Sequence, residues 1–300
     1  MTGYSAPLKE IQFTLEAVAG LAELAKLPGL EDAQPDLICA ALDEANKLAE
    51  SVLVPLQRIG DTQPPKIENG VVRTSPGWRD AYKQYVEGGW NGPAFDPEIG
   101  GGGLPWAATT ALNELFGSAC LSFTLGPLLT QGAIDLLEAH GTSEQKEKYL
   151  EKMVSGEWTG TMNLTEPQAG SDVGALRTKA VRDGERFRIH GQKIYISYGD
   201  HDLTDNIVHM VLARIEGAPA GIRGVSLFVV PKYLVNEDGT LGDRNDLRPV
   251  SLEHKMGIHG SPTCVMSYGD GDGAIGWLVG EENGGIQAMF TMMKIGRAHV

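Results

Sequence analysis

The residues of this 300-residue chain with the clearest chemical potential lie in segment 160–172, which reads GTMNLTEPQAGSD. A strand-forming run ends at the hydroxyl residue Thr165, turns at Glu166-Pro167 and opens into a Gly-Ser-Asp loop. Such a turn directs a threonine hydroxyl and several backbone N–H groups toward one place. A planar, anionic ligand suits that arrangement, although Thr-Glu-Pro alone also occurs at ordinary corners between strands.

A second group of chemically capable side chains lies within ten residues and comprises Asp200, His201, Asp202, Asp205 and His209. A divalent metal accepts ligands of these types, so a metal-dependent hydrolase is an alternative function. The spacing fits no compact ligand pattern, however, and His209 falls within an apolar run. We therefore expect a polar loop that leaves a strand, and we predict no metal site.

Composition narrows the class of protein. Hydrophobic residues make up 42% and charged residues 21% of the chain, which is typical of a soluble protein with packed cores. The net charge of −14 argues against nucleic acid or an anionic membrane as the main partner. The length is sufficient for two domains.

Cysteine usage and the N-terminus predict the compartment. Cys39, Cys120 and Cys264 are far apart and form no CxxC pair, so we expect three buried thiols in a reducing environment. The first ten residues have neither a basic start nor an apolar core, so no signal peptide is predicted. We also expect no apolar run near the roughly 20 residues of a membrane span, and hence a cytoplasmic protein without membrane insertion.

The first half of the chain has helical periodicity. Two apolar stripes predict the first two helices, and Pro55 is predicted to end the second. The stripes comprise Ile11, Leu15, Val18, Leu21, Leu24 and Ala25, and Leu37, Ala41, Leu42, Ala45 and Leu48. Segment 61–77 is predicted to be irregular, and further helices are predicted at 78–87, 105–116, 122–140 and 143–154.

From residue 157 the period changes to two. Strands are predicted at 158–164, 175–181, 187–197, 207–215 and 225–230. Asp183-Gly184 is predicted to form a hairpin turn, and short strands without intervening helices indicate a barrel or a sandwich. Segment 285–300 returns to a helical composition.

Three motifs carry a resemblance to a known family. The pattern TEPxxGSD at Thr165–Asp172 resembles the flavin-contacting signature of the acyl-CoA dehydrogenases. Lys193–Ser197, read as KIYIS, lies where that family usually has Lys-x-Trp-Ile-Thr, with Tyr for Trp and Ser for Thr. Lys255-Met256-Gly257 is similar to the family's Lys-Met-Gly strand. Segments 156–174 and 199–219 resemble the bacterial branch that includes 3-methylmercaptopropionyl-CoA dehydrogenases.

This resemblance implies an α+β multidomain fold. It consists of an N-terminal all-α domain (1–156), a β-barrel middle domain (157–283) and the start of a C-terminal helical bundle (284–300). The family continues well beyond this point, so the chain is expected to be C-terminally truncated. Segment 295–300 does not continue the family pattern, and we expect it to be an artefact of sequencing.

The resemblance also implies FAD as the cofactor. Met162, Leu164 and Thr165 are then expected to line the isoalloxazine ring, with the Thr165 hydroxyl donating to it. Gly170 and Ser171 match positions near the flavin diphosphate, and Ser171 also matches a substrate-binding position at the acyl thioester. The KIYIS motif adds Tyr195, Ile196 and Ser197 to the expected flavin site. Tyr195 is expected at the ring edge and Ser197 near the reacting nitrogen.

The implied reaction is the α,β-dehydrogenation of an acyl-CoA thioester. Proton abstraction at Cα requires a carboxylate base, which the family places in its C-terminal domain beyond residue 300, so no catalytic residue is predicted in this chain. An electron-transfer flavoprotein is the expected acceptor, and a homo-oligomer is the expected assembly. Alternatives are an acyl-CoA oxidase, a non-metabolic flavoprotein of the same fold, or an inactive fragment.

Overall fold

The computed structural model describes residues 4–31 and 33–294. Eight α-helices occur in these residues, seven of them before the large sheet and one after it. They are α1 (Leu8–Phe13), α2 (Leu21–Leu24), α3 (Pro35–Leu48), α4 (Val54–Thr62), α5 (Trp78–Glu87), α6 (Trp106–His140), α7 (Ser143–Val154) and α8 (Gly285–Lys294). The suspected artefact at 295–300 lies outside the described residues.

The second predicted helix does not stop at Pro55. A π-helical turn, Ala49–Leu53, connects α3 to α4, and Pro55 lies in the first turn of α4. The π-helical turn directly before α4 interrupts the regular i→i−4 hydrogen bonding, so the proline is accommodated without ending the helical path. Two residues assigned to the apolar stripes do not lie on a buried face, because Val18 is 76% exposed and Leu37 is 53% exposed.

Helix α6 contains both helices predicted at 105–116 and 122–140. They meet at a kink at Cys120, whose φ of −156° and ψ of 86° are not helical. By length and composition α6 could cross a membrane, so the expectation of no such apolar run is wrong, although 67% of its most apolar stretch is buried inside the protein. Cys120 and Cys264 are buried as predicted, whereas Cys39 is only partly buried.

Twelve β-strands lie in the described residues. They are β1 (Lys66–Glu68), β2 (Val71–Arg73), β3 (Trp158–Asn163), β4 (Lys179–Asp183), β5 (Arg186–Ser197), β6 (Asn206–Ile215), β7 (Val225–Pro231), β8 (Tyr233–Val235), β9 (Leu241–Arg244), β10 (Leu247–Leu252), β11 (Thr263–Tyr268) and β12 (Ala274–Val279). The β1–β2 hairpin occupies part of the segment predicted to be irregular. The strand predicted at 175–181 starts later, because a short 3₁₀ turn, Val173–Ala175, precedes it.

Five strands close a barrel. Antiparallel pairing joins β4 to β5, β5 to β12, β12 to β7 and β7 to β6. Two parallel residue pairs, Lys179 with Arg214 and Ala180 with Ile215, then join β4 to β6 and complete the ring. Strands β10 and β11 extend the sheet beyond β5, and β3 pairs in parallel with β6. The predicted α+β multidomain fold with a helical domain, a barrel and the start of a further helix is confirmed.

Helix α6 connects the helical part to the barrel. A buried cluster unites side chains of α6, α7, β3, β6, β7 and α8. Gly160 permits this contact, because a Cβ at that position would lie 2.5 Å from the Cβ of Ala133. The Gly160 N–H also donates to Thr130 Oγ1 over 3.0 Å. Strand β3 is therefore held against α6 immediately before the TEPxxGSD turn.

Candidate functional site

A cleft of about 570 Å³ lies at the end of β3, between the loop that follows it, the end of β5 and helix α8. It contains seven of the eight residues predicted to bind a cofactor. The lining comprises Met162, Leu164, Thr165, Gly170, Ser171, Asp172, Val173, Gly174, Tyr195, Ile196, Ile222, Ile286, Met289, Phe290 and Met293. Ser197, the eighth predicted residue, is not part of this lining.

Alternation along β3 decides which of its side chains reach the cleft. Thr161 and Asn163 point into the barrel, where the Thr161 hydroxyl lies 2.6 Å from His209 Nδ1 and accepts a 2.9 Å hydrogen bond from Asn163 Nδ2. Because successive side chains of a strand face opposite sides, Met162 and Leu164 face outward. Two apolar side chains thus form one wall of the cleft, next to the Thr165 hydroxyl.

Glu166 organises the turn after β3. Its side chain is 3% exposed and accepts hydrogen bonds from the Arg177 N–H at 2.6 Å and the Thr178 N–H at 3.1 Å. The Thr178 hydroxyl donates to it over 2.5 Å, and Gln168 Nε2 donates over 2.7 Å. The carboxylate therefore joins the TEPxxGSD turn to the start of β4, and it does not face the cleft.

Lys193 is the partner of Glu166. Its fully buried ammonium lies 2.8 Å from Glu166 Oε1 and donates to the Leu164 carbonyl over 2.9 Å. Burial by itself raises the pKa of Glu166, but the charge of Lys193 and the hydrogen bonds hold that pKa well below its usual range. Burial lowers the pKa of Lys193, and Glu166 opposes that shift.

The end of β5 carries a bulge that presents Tyr195. Lys193 pairs with Met266 and Ile196 pairs with Cys264, so two residues of β5 lie opposite one residue of β11. Tyr195 adopts a left-handed φ of 59°, which is uncommon for an aromatic residue. Its side chain lines the cleft and is 60% exposed. Ser197 pairs with Thr263 beyond the bulge, and its predicted role at the flavin remains a prediction.

The Gly-Ser-Asp loop supplies unpaired donors. Gly170, Ser171 and Asp172 are exposed, and within the described chain no protein acceptor takes their N–H groups. A Cβ at Gly170 would meet nothing within 4 Å, so the loop leaves open space beside its backbone. Neighbouring free N–H groups are suited to phosphate oxygens. The apolar wall and the Thr165 hydroxyl therefore fit the ring of a flavin, and the loop fits its diphosphate.

Helix α8 forms the opposite wall. It contributes four cleft-lining side chains: Ile286, Met289, Phe290 and Met293. The helix is anchored at both ends, because the Asn283 N–H donates to Ser226 Oγ over 2.8 Å and Thr291 Oγ1 lies 2.7 Å from His140 Nε2. The sequence alone assigns this wall no part in a cofactor site, although the spacing of its methionines is visible there.

Three side chains of the second polar group, which spans residues 200–209, each contact a different residue of the protein. Asp200 pairs with Lys232 at 2.7 Å, and Asp202 accepts from the Thr74 hydroxyl at 2.7 Å. His201 Nε2 lies 2.9 Å from the Thr159 hydroxyl. Within the described ranges, no three His, Cys, Asp or Glu side chains are grouped so that they could hold a metal ion. The geometry gives the metal-dependent hydrolase no support.

The cleft lacks an evident base. Asp172 is the one carboxylate among the described lining residues, and it belongs to the exposed Gly-Ser-Asp loop. Glu166 is turned away from the cleft and engaged with Lys193. Sequence reasoning missed the buried pair, although both residues stand inside motifs that it singled out. The available signal was one charged residue of opposite sign in each motif, Glu166 in TEPxxGSD and Lys193 in KIYIS, with both motifs expected at the same site.

The fold and the cleft together define a class of protein in which a helical domain precedes a barrel, with a binding site between the barrel and the helix that follows it. Residues 42–157 match the family model of the acyl-CoA dehydrogenase N-terminal domain, and residues 161–270 match that of the acyl-CoA dehydrogenase middle domain. The chain belongs to the acyl-CoA dehydrogenase family.

Individual relatives agree with this assignment. The 3-methylmercaptopropionyl-CoA dehydrogenase of Ruegeria pomeroyi is 47% identical over 295 residues, which are 98% of this chain and 50% of that protein. This similarity confirms the resemblance to that bacterial branch. The chain spans about half the length of the curated relatives that it matches.

Solved structures show the same fold. Caenorhabditis elegans ACDH-11 in complex with C11-CoA superimposes with a TM-score of 0.78 at 24% identity, over 99% of this chain and 50% of that one. A chain in the structure of the electron transferring flavoprotein of Acidaminococcus fermentans gives a TM-score of 0.70 at 26% identity, over 87% of this chain and 62% of that one.

Proposed function

We propose that this chain is the flavin-binding part of an enzyme that dehydrogenates an acyl-CoA thioester between Cα and Cβ. The observation that supports it best is the cleft, which gathers an apolar wall, the Thr165 hydroxyl and the free N–H groups of the Gly-Ser-Asp loop. When bound, FAD supplies the acceptor for the hydride that leaves Cβ.

The residues of the chain bind and polarise that cofactor. Met162 and Leu164 would hold one face of the ring, and Tyr195 would hold its edge. Thr165 donates its hydroxyl to a ring atom that gains electron density on reduction, where a fixed donor is most stabilising. Gly170 and Ser171 hold the diphosphate through backbone N–H groups, and the Ser171 hydroxyl is available to the thioester. Ser197, which is not part of the cleft lining, is the residue predicted to lie near the reacting nitrogen.

Proton abstraction at Cα is assigned to a glutamate in the segment that the longer relatives possess. General-base catalysis contributes about 10²–10⁴-fold, so the 300-residue chain is expected to bind FAD with little or no turnover. The likeness to a chain in the Acidaminococcus fermentans structure supports an electron-transfer flavoprotein as the acceptor. A homo-oligomer and a cytoplasmic location remain predictions.

The test has two stages. The purified chain is first titrated with FAD, and bound flavin is measured by its visible absorbance and quenched fluorescence. A chain that folds but binds no flavin contradicts the proposal. A version extended to the length of the relatives is then mixed with a series of acyl-CoA thioesters under anaerobic conditions, where bleaching of the flavin is the expected result.

Reoxidation identifies the acceptor. An enzyme that is reoxidised by an electron-transfer flavoprotein and only slowly by oxygen is a dehydrogenase. Rapid reoxidation by oxygen with release of hydrogen peroxide identifies an acyl-CoA oxidase instead. An extended protein that binds flavin but is bleached by no thioester is a flavoprotein of this fold without the proposed activity.

A further inference from the structure

We propose that the buried Glu166–Lys193 pair sets the reduction potential of the bound flavin through its balanced charge. The inference rests on the proposed function, because it assumes FAD in the cleft. It assigns a role to two residues that line no part of the cleft.

Hydrogen bonds from β5 hold the backbone around Thr165. Lys193 Nζ donates to the carbonyl of Leu164 and to Glu166 Oε1, over 2.9 and 2.8 Å. The Ile194 N–H donates to the Thr165 carbonyl over 2.9 Å. These bonds fix the backbone on both sides of Thr165 against β5. A displacement of Lys193 would therefore move the threonine hydroxyl relative to Tyr195 on the same strand.

The charges of Glu166 and Lys193 lie away from solvent. Both side chains are buried, with 0% and 3% exposure, so solvent screens them little. The pair is neutral as a whole. Glu166 directly follows Thr165, and Lys193 precedes Tyr195 by two residues. If Lys193 alone is lost, the Glu166 carboxylate stays in place beneath the cleft, because it still accepts four other hydrogen bonds. A negative charge there opposes the electron density that the flavin gains on reduction.

Lys193→Met and the double variant Lys193→Met/Glu166→Gln test this inference. Reduction potentials are measured on the flavin-loaded proteins by anaerobic titration with a reference dye. We expect a more negative potential in the single variant and a return toward the wild-type value in the double variant, which has no charge at this place. Arg248→Met removes an exposed ion pair with Asp270 and serves as the control, with an unchanged potential.

Three outcomes decide the matter. A wild-type potential in Lys193→Met overturns the inference. Equal shifts in the single and double variants also overturn it, since they indicate a purely structural disturbance. If the single variant does not fold, a double variant that folds with a near-wild-type potential supports charge balance, and one that is equally unstable contradicts it. Absence of flavin from the wild-type protein would instead refute the proposed function.

Discussion

The indole of Trp78 in α5 donates a 3.1 Å hydrogen bond to the hydroxyl of Tyr198, which directly follows β5. The same hydroxyl donates to the Ser122 carbonyl in α6 over 2.6 Å. One buried phenol thus joins two helices to the strand that carries Tyr195 into the cleft. These bonds hold the residue after β5 against α5 and α6, neither of which contributes to the described lining of the cleft.

Substitution of Tyr198 by Phe should destabilise the protein. The change leaves the buried Trp78 N–H without its acceptor and removes the donor to Ser122, so the free energy of unfolding should fall by about 1–3 kcal/mol. Urea denaturation measures this value. Tyr195→Phe is the matched control, because that hydroxyl has no hydrogen bond among the described residues and its loss should cost less than about 0.5 kcal/mol.

Substitution of Thr165 by Val should weaken flavin binding or shift its reduction potential. The variant keeps the shape of the side chain and loses one hydrogen bond to a group that becomes charged on reduction, at a cost of about 1.5–3 kcal/mol. Flavin titration and potentiometry measure the effect. Thr62→Val, at an exposed position in α4, should leave both values unchanged. Unaltered binding and potential in the Thr165 variant would remove this residue from the site.

Tyr195→Gly should separate stability from cofactor binding. A left-handed conformation costs a non-glycine residue roughly 1–2 kcal/mol, and glycine loses about 0.5–1 kcal/mol through its greater chain entropy. The flavin-free variant should therefore be as stable as the wild type or more stable by up to about 1 kcal/mol, while it binds flavin more weakly. Asn69→Gly relieves a similar φ of 52° far from the cleft and should not affect flavin. Weaker stability with unchanged binding would contradict this prediction.

Two buried histidines should make stability dependent on pH. Burial, with the nearby Lys232 charge, lowers the pKa of His201 and His209 from 6.5 to about 3. Both are therefore neutral in the folded state, whereas the unfolded chain protonates them below its own pKa. Their contribution is present above pH 6.5 and is lost as pH falls toward about 3, with a slope of about 1.4 kcal/mol per pH unit for each residue.

His209→Gln checks the assignment. Denaturation between about pH 6 and pH 4 should show a slope smaller than that of the wild type by about 1.4 kcal/mol per pH unit, whatever the variant's absolute stability. The double variant with His201→Asn should lose about twice as much of the slope. Carboxylates titrate alike in all three proteins, so differences report the histidines. A wild-type slope in both variants would show that these imidazoles do not titrate on unfolding.

Local chemistry allowed the sequence to determine a large part of this protein. The turn at Glu166-Pro167, the hairpin at Asp183-Gly184 and the helix at 143–154 follow from neighbouring residues whose preferences agree with the final fold. The change of period at residue 157 predicted the order of helices and strands. The motifs then located seven of the eight candidate residues that meet in one cleft.

Tertiary structure decided the contacts between residues distant in sequence. Glu166 and Lys193 are 27 residues apart, and only the packing of the turn against β5 makes them a buried pair. The bulge that presents Tyr195 depends on its register with β11, which β5 alone does not specify. The wall from α8 and the closure of the barrel through β4 likewise require the assembled core. Periodicity reports which face of an element is apolar, but the partner of that face is a property of the whole fold.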